Sequence, residues 1–384
     1  MPLAGRPAMP STVSRISRSS AEVTSVSRPA RLPFWREGAG PRIRTTAGAD
    51  ELHFARTADG WRLALHRWRT RGGRARLPVI LCAGYACNRY FLDYDEDHSL
   101  ARFLARAGFD AWVLELRGRG LSRPGPDASR PRVWTFDDLV TLDVPAAVGH
   151  VARATGQEVA WVGHSMGGMA LYAYLGRRAG RPHAVRGGVT IAAPVVFPTA
   201  VPALVGRLGM LLLRLPLGDV IRQRWALEVI CGLAGMLGPS LLGIAANPAN
   251  VDRHVLGRAL RLCVGDVPRA KLQQLARWAL DGKFSSVDGA FDYRAALRRV
   301  DTPLLLIAGS ADRLVTPAAV RRTLDHLPPA AASYLEFGRA HGHSTDYGHA
   351  DLILGRAAPA EVFPAVARWL AERVATAVQE AHVA

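Results

Sequence analysis

The run Val159-Ala-Trp-Val-Gly163-His-Ser165-Met-Gly167-Gly168 sets one serine between two glycines. It stands where a continuous apolar strand gives way to a helical stretch, Met169 to Leu175. A serine in so tight a strand-to-helix turn is lifted clear of the sheet edge, and its neighbours must lack side-chain bulk, which accounts for Gly163 and Gly167. The helix that follows aims its positive N-terminal end at any negative charge that develops beside the hydroxyl. The chemistry this suits is nucleophilic attack. A serine hydroxyl needs a base to take its proton, and the base needs a carboxylate to orient it.

Two later segments offer both groups. After the apolar run Pro303 to Ala308 comes Gly309-Ser-Ala-Asp312-Arg-Leu-Val-Thr-Pro317, which puts a carboxylate just past a strand's C-terminal end. Asp301 precedes the strand and so lies at the wrong end of the sheet. The competing role for Asp312 is to cap the helix that Pro317 begins. Three histidines follow, His341, His343 and His349. The base is assigned to His349, which comes after a loop-permitting glycine and immediately before the final helical region. His341 and His343 sit nearer the last strand, as loop surface or support. The cluster lacks the helical ligand spacing of a zinc enzyme, so no metal is expected. His164 is expected to pack beside the serine. An oxyanion would need two backbone N–H donors. Met166 supplies one by position, and the loop Ala83-Gly84-Tyr85-Ala86-Cys87-Asn88 supplies the other, assigned to Tyr85.

The elements that must position these residues are legible as pattern. Leu52 to Phe54 and Trp61 to Trp68 flank Asp59-Gly60, which predicts a hairpin. Apolar runs at Pro78 to Cys82, Ala111 to Leu116, Val159 to Val162, Val189 to Ala193, Pro303 to Ala308 and Tyr334 to Phe337 predict strands covered on both faces. Helical period falls between them: Leu100, Phe103 and Leu104; a capped start at Thr135 with Asp138; Val320, Leu324 and Leu327; and Phe363 to Val374. Alternating strands and helices imply an α/β fold with a mostly parallel sheet.

Residues 1–50, rich in Ser, Pro, Arg and Gly, read as a disordered tail. Residues 51–194 and 301–384 read as two parts of one core. Between them, residues 195–300 show helical stretches (Leu211 to Leu213, Trp225 to Leu237, Leu260 to Leu280) and no convincing strand, which predicts an inserted helical lid. Its apolar side chains serve both to pack the insertion and to face an apolar substrate.

Composition sets the outer limits. The chain has 384 residues, 49% of them hydrophobic, and a formal charge of +17. Nearly all of that positive charge is Arg, Lys271 and Lys283 being the only lysines. The arginines are scattered and interleaved with acids, which argues against a nucleic-acid footprint and leaves only weak attraction to an anionic membrane surface. Cys82, Cys87, Cys231 and Cys263 follow no pairing or metal pattern and read as free thiols of a reducing compartment. The first thirty residues hold no apolar run of signal-peptide length, and no uncharged stretch is long enough to span a membrane, so a cytoplasmic location is expected.

From Glu51 to Val374 the chain resembles the α/β-hydrolase superfamily, and within it the acid-lipase group. The stretches that carry the likeness are Ser99 to Trp112, Phe136-Asp-Asp-Leu through Asp143-Val-Pro-Ala, Thr155-Gly-Gln leading to the Gly163–Gly168 turn, Tyr347-Gly-His-Ala-Asp-Leu, and Ala358-Pro-Ala-Glu-Val-Phe. The resemblance implies Ser165 as nucleophile, Asp312 as acid, His349 as base, a helical lid, no cofactor, and a small-molecule carboxylester with an apolar acyl part as substrate. One position departs from the pattern: the family usually has His-Gly at the oxyanion loop, where this chain has Ala83-Gly84. Asn88 to Asp93 with His98-Ser-Leu also resembles polyhydroxyalkanoate synthases, but those use a cysteine nucleophile. Ester hydrolysis is the expectation, with acyl transfer or a non-catalytic binding protein on the same fold as alternatives.

Overall fold

The computed structural model describes residues 48–70, 76–129, 132–197, 211, 218–224 and 242–383. The tail as far as residue 47, Cys231, and the stretches 212–213 and 225–237 lie outside the described residues. Cys82, Cys87 and Cys263 are free thiols.

The predicted hairpin is present. β1 (Glu51–Arg56) pairs antiparallel with β2 (Trp61–Trp68), and Glu51 registers with Arg67. The remaining long strands are parallel and almost wholly buried: β3 (Pro78–Cys82), β4 (Asp110–Leu114), β6 (Val159–His164), β7 (Val185–Ile191) and β10 (Leu304–Gly309), with β11 (Ala332–Phe337) at the edge. A short β5 (Arg123–Pro124) pairs with β2, and the order across the sheet is β1-β2-β4-β3-β6-β7-β10-β11. The central position of β6 places the end of that strand, where Ser165 stands, midway along the sheet's C-terminal edge.

Helices cover both faces. On one side α1 (Leu100–Arg106) and α7 (Ala358–Val383) pack against an apolar cluster that includes Val79, Leu81, Val162 and Ile307. On the other, α2 (Phe136–Asp138), α3 (Val144–Thr155) and α4 (Met166–Arg178) share a cluster with Ile80, Trp112, Trp161 and Leu306. Thr135 caps α2 as its sequence implies: its N–H and hydroxyl both donate to Asp138 Oδ2, at 2.7 and 2.9 Å. The stripe Val320–Leu327 is less regular than expected. A helix over Pro317–Arg321 gives way to a 3₁₀ turn at Leu324–His326.

The segment between β7 and β10 departs from an all-helical reading. α5 (Arg253–Cys263) and α6 (Arg269–Asp281) are separate helices, because the chain turns extended at Val264 and Pro268 cannot continue a helix. Val267–Pro268 (β9) pairs antiparallel with Val220–Ile221 (β8), a two-residue ribbon that sequence pattern did not anticipate.

A buried ion pair ties the loop after β4 to the start of α3. The Arg117 Nε donates to Asp143 Oδ1 at 2.7 Å and its N–H to Oδ2 at 3.0 Å, while its other guanidinium nitrogens reach Asp59. Removing one partner of such a pair leaves a charge stranded. Asp143→Ala is expected to destabilise the protein by about 3 kcal/mol in a urea titration. A loss under about 1 kcal/mol would show that Asp59 alone can hold the guanidinium.

Candidate active site

The strand-to-helix turn is strained at one residue. Ser165 has φ 52° and ψ −120°, outside the regions most L-residues occupy, and it is partly exposed between buried neighbours. The turn holds because the backbone around it is fully engaged. Ser165 N–H donates to Ile191 O at 2.7 Å, its carbonyl accepts from Gly168 and Met169, and Trp161 Nε1 donates to Gly167 O at 3.0 Å. No side chain fits at the flanking positions. A Cβ on Gly163 would lie 2.4 Å from the Gly167 carbonyl carbon, and one on Gly167 would lie 2.2 Å from Cys82 O.

Asp312 and His349 come together from the loops that follow β10 and β11. These loops are laced to each other by Ser310 N–H to Phe337 O and Ala311 N–H to Tyr347 O. Asp312 is 3% exposed; its Oδ1 accepts from the N–H groups of Leu314 and Val315, and its Oδ2 accepts from His349 Nδ1 at 2.8 Å. The competing cap role is filled by another residue, since Thr316 caps the Pro317 helix. Asp301 is exposed, as expected of the wrong end of the strand.

His341 is exposed and pairs with Glu336, and His343 turns back to Gly338 and stacks on Phe337. Neither meets Asp312. His164 does pack at the site. Its ring lies 4.7 Å from that of His349, and its Nε2 donates to the His349 carbonyl at 3.0 Å. Burial, and then the neighbouring His349, hold its pKa well below the ordinary histidine value, so it is a neutral prop. The Ser165 hydroxyl has no hydrogen-bond partner among the described residues, so the link from Ser165 to His349 is open in this conformation. Such contacts commonly tighten only when substrate arrives.

The loop after β3, Ala83 to Asn88, approaches the serine closely. A Cβ on Gly84 would stand 3.0 Å from Ser165 Cβ and 3.2 Å from His164 Nδ1. The Tyr85 N–H donates to no described residue, and the Met166 N–H, first in α4, has no intrahelical acceptor. The loop is held from the β7–β10 segment. Asn88 N–H donates to Cys263 O, Asn88 Nδ2 to Leu262 O, Gly265 N–H to Ala86 O, and the Tyr85 hydroxyl to Gln223.

The sequence reading gave Asp351 no role, although it is two residues from His349. Its carboxylate accepts from the N–H groups of Gly348 and Asn247 and from Asn250 Nδ2, which fixes the histidine loop to the stretch just before α5. An acid two residues after a candidate base was the available signal.

A family model for the alpha/beta hydrolase fold matches residues 78–217. The monoglyceride lipase of Saccharomyces cerevisiae, in complex with a substrate analogue, superposes with a TM-score of 0.60 at 17% identity, covering 87% of this chain and 99% of that one. This is an α/β-hydrolase fold. The monoacylglycerol lipase of Paleococcus ferrophilus shares the hydrolase fold with a TM-score of 0.55 at 17% identity, over 81% of this chain and 99% of its own.

Lipases, an acid lipase among them, are found among the sequence relatives, in line with the motif resemblance. Triacylglycerol lipase 2 of Arabidopsis thaliana is 32% identical over 164 residues, 36% of this hydrolase-fold chain and 39% of the relative. The lysosomal acid lipase/cholesteryl ester hydrolase of Rattus norvegicus is 31% identical over 128 residues, 30% of this chain and 32% of its own. The matched region thus spans about two fifths or less of these relatives' length. Among the described residues no helix is long and apolar enough to cross a membrane, and no group of three or more His, Cys, Asp or Glu side chains is placed to hold a metal.

Proposed function

We propose that the protein is a serine hydrolase of carboxylic esters, with Ser165 as nucleophile, His349 as base and Asp312 as the acid that orients it. The observation that carries this reading is the 2.8 Å bond from His349 Nδ1 to Asp312, with the same histidine packed on the residue that precedes a strained, partly exposed serine. That bond keeps the Nδ1 proton in place and leaves Nε2 free to accept the serine proton. Ser165 Oγ attacks the ester carbonyl as His349 takes its proton. The carbonyl oxygen gains the charge and is held by the N–H groups of Tyr85 and Met166. His349 then protonates the leaving alcohol, an acyl-enzyme remains on Ser165, and water attacks it by the same route to release the acid.

Residues 195–300 act in this reading as a lid whose apolar side chains face the acyl part of the substrate. Phe197, Leu275 and Tyr85 all pack against the apolar cluster beneath the segment, which supports an apolar acyl chain. The names of the lipase relatives point to the same substrate class. The unpaired thiols of Cys82, Cys87 and Cys263 are in keeping with a cytoplasmic location. The test is a fluorophosphonate probe with a panel of p-nitrophenyl esters of increasing chain length. Labelling at Ser165, with loss of turnover in proportion, is expected. Turnover that survives complete labelling would refute the assignment.

A further inference from the structure

Lys271 is one of only two lysines among the 49 Lys and Arg residues, and it stands in the first turn of α6, where the helix dipole repels a cation. It is 2% exposed. Its ammonium lies 5.2 Å from the centre of the Tyr85 ring, and among the described residues no carboxylate pairs with it. A second buried cation adjoins the same loop. Arg119 donates from Nη1 to Ala86 O at 3.1 Å and from Nη2 to Asp266 O, and its buried Nε has no partner.

The acids nearby are engaged elsewhere. Asp143 holds Arg117, Glu115 pairs with His66 and accepts from the N–H groups of Arg89 and Leu121, and Asp266 Oδ1 accepts from the Arg224 N–H. Burial, and then the charge of Arg119, pull the Lys271 ammonium down to about 7; burial brings Arg119 down to about 10.

Burial, the helix dipole and a like charge all act against a protonated Lys271, and the face of the Tyr85 ring and the charge of Asp143, itself paired with Arg117, offset them only in part. A bound anion would offset all three at once. Tyr85, whose ring lies against this lysine, is also the residue whose N–H is assigned to the oxyanion, so anion and scissile carbonyl belong to one ligand. Leu275, one turn further along α6, and Phe197 are, like Tyr85, only partly buried and pack on the same apolar cluster, the kind of surface a methylene chain would need.

We propose that Lys271, with Arg119 behind it, binds a carboxylate at the far end of the substrate, so that the favoured substrate is an ester with one anionic terminus, as in a hemiester of a straight-chain dicarboxylic acid. This deepens the ester-hydrolase reading and rests on it.

The test compares p-nitrophenyl hemiesters of the dicarboxylic acids from succinate to sebacate with neutral p-nitrophenyl esters of equal length. The wild type is expected to favour at least one hemiester. Lys271→Met should lower the ratio of hemiester to neutral kcat/KM by about tenfold or more, chiefly through KM, and Lys271→Arg should retain part of it. Removing an unpaired buried cation should also raise the melting temperature of Lys271→Met, by about 2–5 °C. An unchanged ratio, or a sharp fall in melting temperature, would overturn the proposal, because the lysine would then be serving the fold.

A calorimetric titration of the free dicarboxylates into Ser165→Ala, with and without Lys271→Met, separates the two readings. If the wild type hydrolyses no ester in either series, the hydrolase assignment fails and the titration alone decides the anion site. Binding that depends on Lys271 supports the site; absence of binding, or binding indifferent to Lys271, overturns it.

Discussion

Ser165→Ala is expected to lower kcat on p-nitrophenyl butyrate by about 10⁴–10⁶-fold while leaving the protein at least as stable as the wild type. Both halves follow from the geometry. The hydroxyl is the group that would form the acyl-enzyme, and what remains without it is the field of the two N–H donors and the binding of the ester. Stability should not fall, because the Ser165 hydroxyl bonds to no described residue and Ala has the same Cβ at φ 52°.

A second variant sharpens the point. Ser165→Gly removes the same hydroxyl but also relieves the left-handed strain, and should gain about 1 kcal/mol in urea unfolding. A turn that is more stable without its serine is what a site selected for reactivity rather than folding would show. An Ala variant that keeps even a tenth of wild-type kcat would remove Ser165 from the mechanism.

The parts of this site that were legible in advance are those where one residue type satisfies a local demand. Continuous apolar runs marked β3, β6 and β10 to within a residue or two, because strands covered on both faces leave no room for polar alternation. β7 was placed late, starting at Val189 instead of Val185. Gly187 and Gly188 interrupt the apolar run inside that strand, and a Cβ on Gly188 would lie 2.4 Å from Leu171 Cδ2, so the glycine is there to let α4 lie close on the sheet. His349 could be chosen over its neighbours by its place before a helix, and the structure brings it alone to Asp312.

The groups that hold the site from a distance could not be read in the same way. Arg119 reaches Ala86, in the loop after β3, and Asp266, 147 positions away, and Asp351 reaches Asn247, 104 away. Nothing in the local spacing announces either partner. Nothing in the spacing around Lys271 marks it as buried; its burial arises from where α6 is set down, and that is decided by tertiary packing.

Asp312→Asn is the substitution with the second-largest expected effect, and its outcome is set by which oxygen faces which partner. Oδ1 accepts from two backbone N–H groups, Leu314 at 2.9 Å and Val315 at 2.7 Å, and Oδ2 accepts from His349 Nδ1 at 2.8 Å. An asparagine must turn its carbonyl toward the two N–H donors, since its NH₂ there would oppose both. The NH₂ group then faces His349 and donates to Nδ1, which places the imidazole proton on Nε2. In that tautomer Nε2 has no lone pair with which to take the Ser165 proton. The expected result is a fall in kcat of about 10⁴-fold, with KM and melting temperature near their wild-type values, because the packing and every backbone bond are retained. Labelling by the fluorophosphonate probe should slow in the same proportion, since it depends on the same proton transfer. If Asp312→Asn stayed within tenfold of wild type while still folded, the carboxylate would be fixing the loop alone, and the orientation of His349 would have to come from His164 and the clamp at Asp351.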